Sequence, residues 1–280
     1  MNIKKNIMSV DLEDYFCDLP FSEWHLHESR IEKTTDVILE LFEKYDVTAT
    51  FFSLGYVAEK FPQLIEKICS LGHEIGSHGY AHLDLRKISK DTFEFDLKKS
   101  IQILEKISNE KVLGFRAPFF SVNSKNTWVF DILEKYVKYD SSVFPVRTPL
   151  YGIPHAPRLI YKMNVKNPFE KNISGNLLEI PLATFPFPIL SNIPVAGGFY
   201  LRFLPLQIIQ AGIKKLNRDG HPAMFYLHPK DLDMDMPKIS QYGPQYYWGL
   251  KNSLKKFETI LKSFEFSSVR DTIDDIPSKQ

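Results

Sequence analysis

An α/β fold, an irregular (β/α)7–8 barrel running through residues 1–280 as one domain, is what the sequence predicts. Short β-rich runs alternate with amphipathic helical segments, the signature of parallel βα units. About seven such units in 280 residues suit a barrel better than an open sheet. Reactive polar residues also recur directly after the β-rich runs, where parallel folds place function.

Asn6 to Val10 is the first predicted strand. Val37, Ile38, Leu41, Phe42 and Tyr45 then fall at helical spacing, and Ala49 to Leu54 is a second strand. Leu64, Ile65, Ile68 and Leu71 mark a helix that Gly72 stops, and His73 to Ser77 is the third strand. Ser89 opens a helix with an inner stripe of Phe93, Leu97, Ile101, Leu104 and Ile107. Val112 to Arg116 and Lys138 to Val143 read as strands flanking a helix over Asn126 to Tyr136. From about residue 144 to 200 prolines break every long helical pattern. The aromatic and aliphatic content there, Tyr151, Tyr161, Phe169, Leu178, Phe185 and Phe187 among it, predicts an ordered insertion, because a flexible linker is polar. A helix over Pro205 to Arg218, a strand over Ala223 to His228, a helix over Tyr246 to Phe264 and a last strand over Ser267 to Ile273 complete the pattern.

With 35 Lys+Arg against 34 Asp+Glu the net charge is +1, without the basic excess a nucleic-acid partner requires. No window approaches the roughly 18 consecutive apolar residues of a membrane span. Residues 1–10 hold no apolar stretch of signal-peptide type, so a cytoplasmic location is expected. Cys17 and Cys69 are expected to be free thiols.

The residues after the strands form a chemically coherent set. Asp11, Glu13 and Asp14 follow the first, Ser77-His78-Gly79-Tyr80-Ala81-His82 the third, and Arg116-Ala117-Pro118-Phe119 the fourth. Asp140-Ser141-Ser142 and His228-Pro229 complete it. Two imidazoles four residues apart, with Gly79 permitting a tight turn, suit a divalent metal that takes at least one further carboxylate. His228, at the tip of an apolar strand, is a candidate general acid. Arg116, aimed by the turn at Pro118, can hold a carboxylate. Gly197-Gly198 marks either a turn or a close backbone approach. Cys17 to Ser29 is expected at the rim of the site.

These motifs resemble, in order, those of the polysaccharide deacetylases with a NodB-homology domain, carbohydrate esterase family 4. The five are Ser9-Val10-Asp11-Leu12-Glu13-Asp14, Ser77 to His82, Arg116-Ala117-Pro118-Phe119, Tyr139-Asp140-Ser141-Ser142 and Leu227-His228-Pro229. Tyr151-Gly152-Ile153-Pro154 and Gly197-Gly198-Phe199-Tyr200 resemble an exopolysaccharide and O-antigen subgroup. The resemblance implies a NodB-type barrel and a hydrolase that removes an N-acetyl group from an amino sugar. It implies Zn²⁺, or Co²⁺, Ni²⁺ or Mn²⁺, on His78, His82 and a carboxylate. The usual second aspartate is displaced here, leaving Glu13, which strand alternation places beside Asp11, or Asp14, which a turn at Leu12 would deliver. Asp11 would be the base, Arg116 its orienting partner, His228 the acid and Asp140 its support. Tyr80, Pro118, Phe119 and Tyr200 would contact substrate, with a backbone N–H near Ala117 or Tyr80 for the oxyanion. The expected substrate is an N-acetylated sugar, nucleotide- or lipid-linked. A cyclic imide or ureide hydrolase and an inactive carbohydrate binder are the alternatives.

Overall fold

The computed structural model describes residues 5–171, 175–186 and 192–273. β1 (Asn6–Leu12), β2 (Thr50–Ser53), β3 (Glu74–Ser77), β4 (Gly114–Phe115) and β5 (Tyr139–Asp140) lie side by side in chain order, all parallel. Between them run α1 (Ile31–Lys44), α2 (Gly55–Lys60), α3 (Pro62–Ser70), α4 (Lys90–Ser108) and α5 (Trp128–Tyr136). The hairpin β6 (Tyr161–Asn164) and β7 (Asn167–Lys171) then leads into β8 (Leu177–Glu179), which pairs parallel with β5. A small antiparallel pair, β9 (Thr184–Phe185) and β10 (Ile193–Pro194), follows. α6 (Gly198–Phe203), α7 (Leu206–Arg218), β11 (Met224–Leu227), α8 (Leu250–Ser263), β12 (Phe266–Ser267) and α9 (Val269–Ile273) end the described chain.

β11 joins the free side of β1, giving the order β11-β1-β2-β3-β4-β5-β8. Beyond β8 the Ala183 N–H donates to the Met224 carbonyl of β11 at 3.0 Å. The ring therefore closes through one irregular link, the irregular barrel that the alternating pattern predicts. Every residue of β1 is buried, and apolar side chains fall on both of its faces before Asp11, Ile7 on one and Met8 and Val10 on the other. Outside it, α1 presents Ile31, Ile38, Leu39 and Phe42 to the strands, all buried. The insertion is ordered where it is described; its Phe187 and Pro188 lie outside the described residues.

Several boundaries differ from expectation for local reasons. β4 and β5 are only two residues long because side chains replace the ladder beyond them. Ser142 Oγ accepts the Ala117 N–H, and a Glu179 carboxylate oxygen accepts that of Val143. Ser267 to Ile273 is the last residue of β12 followed by Ser268 and α9, because Ser268 Oγ accepts the Asp271 N–H and starts a helix. α8 begins at Leu250 after the left-handed Gly249, not at Tyr246. α2 is too short to show a periodicity. Cys17 and Cys69 are both free.

Candidate active site

Asp11 is buried on β1 at the mouth of the barrel, with Glu13 just beyond the strand. Alternation along the chain brings both carboxylates to the same side. Glu13 Oε2 is 2.6 Å from His82 Nε2 and 3.9 Å from His78 Nε2, and the three groups are buried. Asp14 turns the other way. Its carboxylate accepts the N–H groups of Tyr15 and Arg30 and the Ser29 hydroxyl, and so holds the start of α1. It does not join the cluster, which corrects that half of the alternative.

Both histidines are oriented through their other nitrogen. His78 Nδ1 donates to the Arg116 carbonyl at 2.8 Å and His82 Nδ1 to the Cys17 carbonyl at 2.9 Å. A carbonyl only accepts, so each Nε2 turns a lone pair toward Glu13 in the neutral ring. Glu13 Oε2 is buried without a hydrogen bond despite its closeness to His82. Two imidazole nitrogens and one carboxylate oxygen within 4.8 Å of one another, with the open side toward a cavity, are a donor set that fits a catalytic Zn²⁺ or similar divalent cation. Burial pushes His78 down to about 4, so it is neutral at physiological pH. Burial alone would raise Glu13, but His82, Lys230 and His228 outweigh it and hold the carboxyl well below its usual range. His82 is correspondingly held above an ordinary histidine by Glu13, against the opposite pull of burial.

The turn from His78 to His82 is built, not incidental. Asp96, on the inner side of α4, accepts the Tyr80 and Ala81 N–H groups at 2.7 and 3.2 Å. Gly79 has φ of +75°, and a Cβ there would meet Asp96 Oδ2 at 2.7 Å. His82 itself is left-handed at φ of +52°, as are Phe119 and Phe120 across the cavity.

Arg116 is fully buried behind Asp11. Its Nη1 donates to Asp11 Oδ1 at 2.6 Å and to Ser9 Oγ at 3.0 Å, while Nε and Nη2 are taken by the carbonyl and hydroxyl of Ser141. Asp11 Oδ2 stays free of that pair and lies 3.8 Å from His228 Nε2. His228 is the partly exposed member, with 20% of its side chain accessible at the cavity. Its Nδ1 is bound at 2.8 Å by Asp231, whose carboxylate also accepts the His228 N–H and pairs with Arg202. Burial would lower His228, yet Glu13 and Asp231 more than offset it and hold the imidazole above its ordinary value. Burial likewise opposes ionisation of Asp231, but Arg202 and His228 bring it to about 2.

Asp140 plays no part in holding His228. It sits within β5 opposite Glu179 of β8, and its carboxylate is engaged by Ser142. Asp231 takes the role from three residues beyond the histidine, a capping-box spacing that the sequence carries in plain view. Lys230 is a second unanticipated member: its Nζ lies 2.7 Å from Glu13 Oε1 and 3.1 Å from Asp18. Asp96 was detectable as an acidic residue within the apolar stripe of α4.

The site floors a cavity of about 530 Å³ whose walls include Phe119, Phe120, Tyr151, Phe199 and Tyr200. Of the expected substrate contacts, Phe119 and Tyr200 line it and Tyr80 and Pro118 do not. The Tyr80 hydroxyl donates to Glu59, and Lys99 lies over its ring. Pro118 is buried in the Arg116 turn. The N–H groups of Ala117 and Tyr80, offered for the oxyanion, are already donated to Ser142 and Asp96. The segment from Cys17 to Ser29 contributes Asp18 to the rim and the Cys17 carbonyl behind His82.

Gly197-Gly198 serves close backbone approach, to protein rather than ligand. A Cβ on Gly198 would overlap the Asp231 carboxylate, and one on Gly197 the Tyr226 ring at 2.7 Å. Gly198→Ala is therefore expected to lower stability by about 1–3 kcal/mol in a denaturant titration and to displace Asp231 from His228.

Comparison with known proteins matches this architecture. Residues 22–135 fit the family profile described as polysaccharide deacetylase, and residues 141–274 one described as a domain of unknown function (DUF3473). Residues 22–135 thus form a polysaccharide deacetylase domain of the NodB-homology, carbohydrate esterase 4 type. It is 28% identical over 174 residues to a peptidoglycan deacetylase of Helicobacter pylori, covering 58% of each protein. It is 36% identical over 85 residues to a peptidoglycan-N-acetylglucosamine deacetylase of Bacillus cereus, covering 30% of this chain and 31% of that one. The chain thus matches little more than half of one of these relatives and less than a third of the other. A crystal structure of a Mycobacterium smegmatis protein described as a polysaccharide deacetylase superposes with a TM-score of 0.62 at 17% identity, covering 98% of this chain and 90% of that one, and shows the shared fold.

Proposed function

We propose that the protein is a metal-dependent carbohydrate N-deacetylase, hydrolysing the acetamide of an amino sugar in the making of a cell-surface polysaccharide. One observation carries this reading: Asp11 and His228 flank the Glu13–His78–His82 cluster at the floor of one cavity. The deacetylases among its relatives support it.

A divalent cation, Zn²⁺ by its donor set, would be held by Glu13, His78 and His82, and when bound supplies a polarised amide carbonyl and a more acidic water. The chain's own groups carry the protons. Asp11, with Oδ1 fixed by Arg116, accepts a proton from the attacking water at Oδ2. As the water oxygen bonds to the acetyl carbon and the C–N bond breaks, His228 delivers its Nε2 proton to the departing amine. Asp231 keeps Nδ1–H of His228 donated, so Nε2 is the nitrogen that faces the substrate. Lys230 occupies Glu13 Oε1 and leaves Oε2 for the cation.

Acetate release from N-acetylglucosamine oligomers, abolished by a chelator and restored by Zn²⁺ or Co²⁺, tests this. Full turnover in a metal-free preparation, or faster turnover of allantoin or succinimide, contradicts it. The acid also has a pH signature. His228 must be protonated, so kcat falls as pH rises through its pKa, which Glu13 and Asp231 hold above the ordinary value. In Asp231→Asn one of those anions is gone, the His228 pKa drops, and the alkaline limb of the kcat profile moves to lower pH. An unmoved limb would show that Asp231 does not tune the acid.

A further inference from the structure

Running outward from the cavity wall, three aromatic side chains form a stack that no step above uses. Phe199 and Phe203, one turn apart on α6, have ring centroids 4.2 Å apart at 22°. Trp248 continues the row at 6.2 Å and 27° from Phe203. Phe199 lines the cavity, whereas Phe203 and Trp248 lead away from it. All three face solvent, at 39%, 39% and 64% exposure, an apolar surface that a protein does not present without cause. The row is also fixed in place. Arg202, between the two phenylalanines, donates to the carbonyls of Gln245, Tyr246 and Trp248 and pairs with Asp231. Gly249 is left-handed against the Arg202 carbonyl, where a Cβ would approach to 2.8 Å. The backbone that carries the indole is thereby anchored to the same arginine that supports the His228 partner.

The charges around the cavity bear on what lies along this row. Among the described residues that line it, Arg86 pairs with Asp84, Arg202 with Asp231, and Lys230 with Glu13 and Asp18. Each of these three side chains is committed to a carboxylate, leaving no lysine or arginine of the lining free for a diphosphate.

We propose that the Phe199–Phe203–Trp248 row is a second sugar subsite, and that the substrate is an uncharged N-acetylated oligosaccharide rather than a nucleotide-linked sugar. The apolar face of a neighbouring sugar ring stacks on the indole while the acetamide of another reaches Asp11 and His228. This rests on the deacetylase reading for the identity of the sugar, but its test does not need turnover.

Binding of N-acetylglucosamine, its tetramer and UDP-N-acetylglucosamine to the full chain is measured by isothermal titration calorimetry for the parent, Trp248→Ala and Phe95→Ala. Phe95 is 72% exposed on α4 and serves as a control for loss of a surface ring. The tetramer is expected to bind the parent and Phe95→Ala roughly tenfold tighter than the monomer, and Trp248→Ala with that advantage lost. Acetate release should show the same tetramer-to-monomer ratio in kcat/KM. Equal affinity for monomer and tetramer in the parent, tighter binding of the nucleotide sugar, or an advantage that survives Trp248→Ala overturns the subsite. Binding to phosphatidylglycerol vesicles and not to the tetramer also overturns it and marks the row as a lipid contact. Length-dependent binding without acetate release leaves the subsite standing and removes the deacetylase reading instead.

Discussion

An Asp11→Asn protein retains bound zinc and releases acetate about 10²–10⁴-fold more slowly than the parent, the range that loss of a positioned general base produces. The two parts of the result come from the two ends of the carboxylate's surroundings. Oδ1 is tied at 2.6 Å to a fully buried Arg116, and Oδ2 faces His228 across 3.8 Å at the cavity floor. An asparagine oxygen still accepts from Arg116, so the geometry of the turn survives, but no basic oxygen is left for the water proton. The substitution also leaves a buried guanidinium without its anion, an arrangement that costs on the order of 3–5 kcal/mol. Rates are therefore compared well below the melting temperature of the variant, with folding followed by circular dichroism. A folded variant within tenfold of the parent rate would remove Asp11 from the base role.

Glu13→Gln is expected to weaken zinc binding by at least about 10²-fold, since even an outer partner of a metal ligand is worth 10–100-fold. Activity measured without added zinc falls with it. Among the described residues the carboxylate is the only anion held directly between His78 and His82, and it also neutralises Lys230. Competition with protons gives this prediction a second face. Glu13 holds His82 above the usual histidine value, and a protonated imidazole cannot ligate. Zinc affinity of the parent thus falls as pH drops through the His82 pKa. In Glu13→Gln that pKa decreases, so the acid-side loss of affinity sets in at lower pH even though affinity at neutral pH is poorer. A zinc titration by competition with a chromophoric chelator, repeated across pH, separates the effects; unchanged affinity at neutral pH would exclude Glu13 as a ligand.

Those predictions depend on contacts that the sequence displays unevenly. Asp11, His78, Arg116 and His228 were legible because each sits at the end of a parallel strand, where the fold alone determines which way a side chain projects. His82 was legible from its spacing to His78, although what turns it inward is a left-handed backbone and an aspartate on α4 that lies 14 residues away. Strand alternation favoured Glu13, and the alternative, Asp14, is diverted by a demand that linear reading does not register: the first N–H groups of α1 need an acceptor. Asp140 and Asp231 illustrate the same limit. Asp140 ends one strand and Asp231 follows another, but β5 pairs with β8 and encloses Asp140, whereas the turn after β11 folds Asp231 back onto its own histidine. Closure of the barrel through Ala183 was likewise invisible, since a single hydrogen bond in a proline-rich stretch has no periodicity. α9 was misread as strand because Val269, Thr272 and Ile273 are β-branched residues that favour strands, and only the cap at Ser268 decides the matter.

The central claim is that Glu13, His78 and His82 bind one cation beside Asp11. Anomalous diffraction at the zinc edge, from crystals grown with a stoichiometric amount of zinc, examines it without reference to any substrate. A single strong peak bounded by Glu13 Oε2 and the two histidine Nε2 atoms, absent in data collected just below the edge, is the predicted result. A peak located on Asp14 or on surface carboxylates, with the Glu13–His78–His82 cluster lacking anomalous density, would contradict it.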